Sequence, residues 1–197
     1  SEETISRWMS DYFKRIHDHI GNENYEKAEY ELEMGNNNYF RGGRTYEAAL
    51  LYQLYGQFYA VQSQYTEAVP WFEKALATDK MPRIGAQEVR FQLAQTYFMI
   101  GKYENVISLL EEFIRVGERY KYPVSARANL LMSYSHGRLE QYEPSYYHIK
   151  QANNKSDKPQ IDWIEYAFSL AMKLENLDDA EDLGTRLLFL EPNKKKY

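Results

Sequence analysis

The sequence predicts an all-α fold of about five stacked helical hairpins, and three observations carry that expectation. The first is the stretch Tyr52–Ala75, where Tyr52, Tyr55, Gly56 and Tyr59 fall at helical spacing and Tyr65, Ala68, Phe72 and Ala75 repeat it after a short Gln/Ser break. Large and small residues interleave there, so the ring of Tyr59 or Phe72 can fill the space left where Gly56, Ala68 or Ala75 lets two backbones approach. The second is recurrence: the returning helices begin at Tyr25, Tyr65, Tyr103, Tyr142 and Leu177, at steps of 40, 38, 39 and 35 residues. The third is punctuation, with Gly, Asn or Pro between the helical runs. One hairpin cannot bury both its apolar faces, and stacking on copies of itself is the usual solution.

Taken in order, Ile5, Trp8, Met9, Tyr12, Phe13, Ile16 and Ile20 form one broad face of a first helix over 4–20, stopped by Gly21-Asn22. A second helix carries Tyr25, Ala28 and Leu32 to Gly35-Asn36-Asn37-Asn38, residues suited to left-handed backbone, and Arg41-Gly42-Gly43-Arg44 extends that break. Thr45 is placed as the N-cap of a helix through Val61, with Glu47 in its favourable first turn. Pro70 then falls inside the next helix, which must either bend or begin late, near Thr66; a kink is expected.

Met81-Pro82 opens the third hairpin, with Gly101 and Gly117 at its two helix ends, and Pro123 opens the fourth, with Pro144 tolerated in a first turn. Asn153–Pro159 is the most loop-like stretch. The fifth hairpin uses Ile161, Ile164, Ala167, Phe168 and Ala171, then Leu177, Ala180, Leu183, Leu187 and Leu188, and ends at Glu191-Pro192-Asn193. The expected hairpins are therefore 4–35, 45–79, 82–117, 123–153 and 159–191, within a single repeat domain over 1–197.

Composition narrows the function classes. No apolar run approaches the roughly 18–20 residues of a membrane-spanning helix, so direct membrane insertion is not expected. The net charge is −5 and the basic residues are scattered, which gives no electrostatic footprint for nucleic acid. The absence of cysteine removes disulfides, thiolate nucleophiles and cysteine metal sites, and it fits a reducing cytoplasm and an oxidising periplasm equally. The start Ser1-Glu2-Glu3 reads as a processed or trimmed end.

Candidate chemistry resolves into structural roles. His17 and His19 lie on different sides of a helix with no third ligand near, and read as surface histidines rather than a metal site. Asp178-Asp179-Ala180-Glu181-Asp182 sits in a first helical turn, where the backbone dipole favours carboxylates. Glu111-Glu112 diverge around a helix and read as a solvated face. No nucleophile with a base, phosphate loop or dinucleotide fingerprint is present, so neither catalysis nor a cofactor is expected.

Tyr52, Tyr55-Gly56, Tyr59, Tyr65, Ala68, Phe72 and Ala75 follow the pattern of the tetratricopeptide repeat, and Leu93, Ala94, Tyr97 and Tyr103 keep part of it in the third hairpin. The chain thus resembles tetratricopeptide-repeat proteins, although its period exceeds the roughly 34 residues of that repeat. The resemblance implies a right-handed superhelical solenoid whose first helices line a concave face. Projected here, that face holds Gln53, Gln57, Glu88, Phe91, Gln95, Phe98, Arg127, Tyr134, Arg138, Glu165 and Ser169. Amide and guanidinium groups there can bond an extended peptide while rings cover its apolar side chains.

The run from Arg44 to Gln64, TYEAALLYQLYGQFYAVQ in particular, with Tyr65–Ala75, Met81-Pro82 and Phe91–Tyr97, is similar to periplasmic tetratricopeptide proteins encoded beside TonB, ExbB and ExbD genes. That resemblance implies an exported adaptor, periplasmic rather than cytoplasmic, that contacts components of the TonB complex in outer-membrane uptake. A factor acting through its edges or convex face in another envelope complex is the alternative reading, with an enzyme third. Members of that family continue with further repeats, so the chain is expected to be a piece of a longer array. Otherwise it should dimerise through its last hairpin around Leu183, Leu187 and Leu190, because that helix carries more apolar residues than one partner can cover and only Lys194–Tyr197 remain to shield them.

Overall fold

The computed structural model describes residues 5–190, and among these the regular structure is helical with no β-strand. The expected hairpin limits at 4 and 191, the closing Pro192 and the Lys194–Tyr197 tail lie outside the described residues. The helices are α1 (Arg7–Gly21), α2 (Tyr25–Met34), α3 (Tyr46–Val61), α4 (Tyr65–Ala77), α5 (Arg83–Met99), α6 (Tyr103–Tyr120), α7 (Ala126–Arg138), α8 (Tyr142–Lys155), α9 (Ile161–Lys173) and α10 (Leu177–Leu190). No helix among the described residues is long and apolar enough to cross a membrane.

By its internal contacts the chain divides into two compact units, with the boundary between Lys102 and Tyr103. In the first, α1 packs on α2, both pack on α3, and α4 lies between α3 and α5. Ile16, Leu32, Leu51, Phe72 and Val89 are its fully buried large side chains. In the second, α6 to α10 pack each on the next, around Val106, Leu110, Ile149 and Ile164.

The first helix of each hairpin ends in one motif. Glu23, Ser63, Gly101, Glu140 and Glu175 adopt left-handed backbone, with φ of 59°, 59°, 75°, 58° and 57°. After each, the next amide reaches back five residues, as in Asn24 to His19 (2.8 Å), Gln64 to Tyr59 (2.9 Å) and Gln141 to His136 (2.9 Å). The left-handed residue itself bonds three residues back, which completes a Schellman cap and satisfies the terminal carbonyls. The recurrence read in the sequence is thus the spacing of these caps, each placed two residues before a returning helix.

One expectation changes. Gly35–Asn38 is not a left-handed break: Gly35 is helical (φ −63°, ψ −46°), and the helix widens into a π turn, Gly35–Tyr39, closed by the Phe40 amide on Gly35 O at 2.9 Å. Glycine is needed there for space, because the Tyr12 hydroxyl, which donates to Glu31 O, occupies the position of a β-carbon. Left-handed backbone appears later, at Gly42 (φ +65°). Pro70 lies inside α4, which runs from Tyr65 to Ala77 without a late start, and the proline is exposed. Among the tyrosines at the repeated positions, Tyr52 is buried, whereas Tyr59, Tyr65, Tyr97, Tyr103 and Tyr142 are half-buried.

Other expectations hold. The Thr45 hydroxyl accepts from the Ala48 amide at 3.1 Å, capping α3, and Ser125 does the same for α7 through Ala128 at 3.2 Å. Each cap contributes about 1 kcal/mol. Phe72 fills the space beside Gly56, and Asp178 and Asp179 lie in the first turn of α10.

Candidate partner-binding groove

Three first helices, α1, α3 and α5, share one face of the first unit. A cavity of about 340 Å³ opens there, walled by Phe13 and Lys14 of α1, Gln53, Leu54 and Gln57 of α3, and Glu88 of α5, with His17 at its edge. The helical period brings Leu50, Gln53, Leu54 and Gln57 to this side of α3. A second cavity, about 320 Å³, continues past Gln57 to Gln92, Gln95, Thr96 and Met99, over a floor that includes Phe72. Gln57 lines both, so the two adjoin at this side chain.

Roles within these cavities differ. Gln53 is buried, 8% exposed, and its amide donates to Gln92 Oε1 at 3.0 Å. It therefore braces α3 against α5 instead of offering a free amide. Gln57 and Gln95 are half-buried and make no side-chain hydrogen bond with the described residues, so both keep donor and acceptor available. Glu88 is exposed without an ion pair among the described residues, Lys14 brings opposite charge to the same cavity, and His17 adds an imidazole. Phe91 and Phe98 are half-buried on α5. Lys14 and His17 were not nominated from the sequence; their spacing, i to i+3 on α1, places them on one helix face.

In the second unit the nominated residues are on α7 and α9. Arg127 and Arg138 are exposed near opposite ends of α7, and Glu165 and Ser169 are exposed on α9. Tyr134 is half-buried, its ring edge-on to Tyr166 with centroids 5.0 Å apart, and burial raises its phenol pKa, with Tyr166 and Asp162 adding to the rise. None of the five lines the cavity of about 280 Å³ between α8 and α10, which is walled by Tyr146, Lys150, Asn153, Asp179, Asp182 and Arg186. The Tyr146 hydroxyl donates to the Asp179 carboxylate there, and burial first, then that bond and the carboxylate's charge, raise the phenol pKa.

On α10, Leu183 packs against the core of this unit and Leu187 is half-buried, while Leu190 is 37% exposed. Larger apolar exposure lies at Phe189 (79%), Leu177 (66%) and Leu188 (46%). His17 is exposed and His19 half-buried, and no three His, Asp or Glu side chains among the described residues gather in a metal-ligating group.

No family profile matches the chain, and no curated protein matches it. Its architecture does match solved structures. MamA (residues 41 to the end) from Desulfovibrio magneticus RS-1 superposes with a TM-score of 0.72 at 18% identity, over 98% of this chain and 100% of that one. YrrB, described as a tetratricopeptide protein with an unusual peptide-binding site, gives 0.72 at 15% identity over 92% and 86% of the two chains. Tetratricopeptide-like repeats of a putative kinesin light chain from Podosopora anserina give 0.70 at 11% identity over 98% and 100%. The chain has the all-α fold of tetratricopeptide-like helical repeats.

Proposed function

We propose that the protein is a non-catalytic scaffold that holds an extended peptide, or a helix of a protein partner, along the α1/α3/α5 face of its first unit. The observation that carries this is the pair of uncommitted amides, Gln57 and Gln95, set in adjoining cavities with Glu88, Lys14 and His17. Amides bond the donors and acceptors of an extended backbone, while charges of both signs select side chains. The likeness to YrrB, whose description names a peptide-binding site, supports the reading.

The resemblance carried by Arg44–Gln64 supports a periplasmic location and contact with TonB, ExbB or ExbD as the partner class. On this reading the second-unit residues Arg127, Tyr134, Arg138, Glu165 and Ser169 contact a partner in their own right, and the exposed apolar end of α10 serves self-association. Crosslinking in cells tests the partner: recovery of TonB-complex proteins supports it, and recovery of cytoplasmic proteins alone refutes it. The groove is tested by replacing Gln57, Gln95 and Tyr134 together with alanine. Partner capture should fall with little change in melting temperature, and unchanged capture would favour action through the edges or convex face. Sedimentation of a Leu187→Glu variant beside the parent tests self-association, which is refuted by a monomer over a wide concentration range.

A further inference from the structure

A different face of the first unit carries a basin of uncompensated positive charge. Arg41 and Arg44 flank a diglycine whose position is fixed from several sides. Phe40 is buried, with its ring stacked on Phe13 (centroids 6.0 Å, 22° between planes). The Gly43 amide donates to Phe40 O at 2.8 Å, and the Tyr52 hydroxyl donates to Gly43 O at 3.3 Å. Thr45 then caps α3. Facing this loop is the end of α4, where Lys74 lies over the rings of Trp71 (4.7 Å) and Tyr52 (5.6 Å). Between them is a cavity of about 490 Å³, and Asn36 and Asn37 of the π turn also line it.

The charge there is unbalanced. No carboxylate lines the cavity, and none of Arg41, Arg44 and Lys74 forms an ion pair among the described residues, in a chain whose net charge is −5. The terminal carbonyls of α4 do not draw on these cations for hydrogen bonds: the Thr78 hydroxyl donates to Ala75 O at 2.8 Å, and the Thr78 and Asp79 amides donate to Lys74 O (3.3 Å) and Leu76 O (3.1 Å). Like charges held round one hollow are repulsive until an anion enters.

We propose that this cavity binds an acidic peptide segment through its side-chain carboxylates. Two guanidinium forks suit carboxylates bidentately, and carriage on a pinned loop reduces the ordering cost of binding. The volume is that of a small-ligand site and exceeds the needs of one free oxyanion. Asn36 and Asn37, whose amides have no partner among the described residues, are placed to bond a peptide backbone, and the Tyr52 ring supplies an apolar wall. This site is independent of the glutamine-lined groove.

The test is fluorescence anisotropy with a labelled hexaglutamate peptide, a hexaglutamine control and inorganic phosphate as competitor, on the full chain. Hexaglutamate should bind and hexaglutamine should not. An Arg41→Gln/Arg44→Gln variant should lose at least about tenfold in affinity, as expected for lost charge-assisted hydrogen bonds, with its melting temperature kept. Lys74→Gln should weaken binding less, and Gln57→Ala/Gln95→Ala should leave it unchanged. The proposal is overturned if wild type does not bind hexaglutamate, if the double arginine variant binds it equally, if the glutamine variant abolishes it, or if phosphate binds as tightly as the peptide.

Discussion

The ring of Phe72 occupies the position that a β-carbon on Gly56 would take: three of its ring carbons lie inside the approach limit of an ordinary methyl group. Phe72 is 1% exposed and packs from α4 against α3, so an added methyl on Gly56 must displace a buried ring. Gly56→Ala should therefore destabilise the protein by about 1–3 kcal/mol through overpacking, although alanine favours the helix by about 1 kcal/mol. Gly21 has nothing within 4 Å of its β-carbon position, and Gly21→Ala should be neutral or stabilising. Urea unfolding of the two variants separates packing from helix propensity.

Four of the five Schellman caps place a residue other than glycine in left-handed backbone, at Glu23, Ser63, Glu140 and Glu175. That conformation costs an L-residue about 1–2 kcal/mol, partly offset in glycine by its larger unfolded-state entropy. Ser63→Gly and Glu140→Gly should each stabilise by about 0.5–1 kcal/mol, and Gly101→Ala should destabilise by a similar amount. Thermal unfolding of the single variants reads the sign directly.

The same caps explain why the fold was legible. A five-residue reach-back closes each first helix, and an aromatic or Leu side chain opens the next, so the period survives even where glycine does not. The site was less legible because side-chain roles depend on neighbours distant in sequence. Gln53 and Gln57 lie one turn apart with the same chemistry, yet only Gln53 meets a partner, 39 residues away. Arg41 and Arg44 look like loop punctuation until α4 brings Lys74 opposite them. The demand on Gly35 is hidden in the sequence for a related reason: it comes from Tyr12, on another helix.

Ser133 and Ser145 clasp α7 to α8. Each hydroxyl donates to the other residue's carbonyl at 2.7 Å, and both side chains are fully buried. Ser145→Ala removes one donor and leaves Ser133 O without that bond in a site closed to water, at a cost of about 1–3 kcal/mol. Because the Ser145 hydroxyl also lies 3.2 Å from the Tyr166 hydroxyl, the loss should spread to α9. Faster hydrogen exchange along α8 and α9, with α3 unchanged, is the expected pattern. Exchange that rises equally in both units would show that the clasp is not a local fastening.

His148 gives the second unit a pH dependence. Its Nδ1 lies 3.1 Å from Asn129 Oδ1, and because the Asn129 amide nitrogen donates to Ser125 O at 3.3 Å, that oxygen is the acceptor and Nδ1 carries the proton. The His136 ring stacks on it, 5.8 Å away and 5° from parallel, with its own Nδ1 2.7 Å from Gln141 Oε1. Burial first, then His136 and Lys155, push the His148 pKa down to about 4. Free histidine titrates near 6.5. Above that value both states are neutral and the full stability is present. Between roughly 6.5 and 4 only the unfolded chain takes up the proton, so stability is lost as pH falls through this window. Since the ring is half-buried and partly screened, the loss is about 1–2 kcal/mol and not the full shift. His148→Gln keeps an N–H for Asn129 and removes the titration. Its unfolding free energy should therefore fall less than that of the parent between pH 7 and pH 4.5, when both are measured by denaturant at matched ionic strength. Parallel pH profiles for the two proteins would place the acid sensitivity elsewhere.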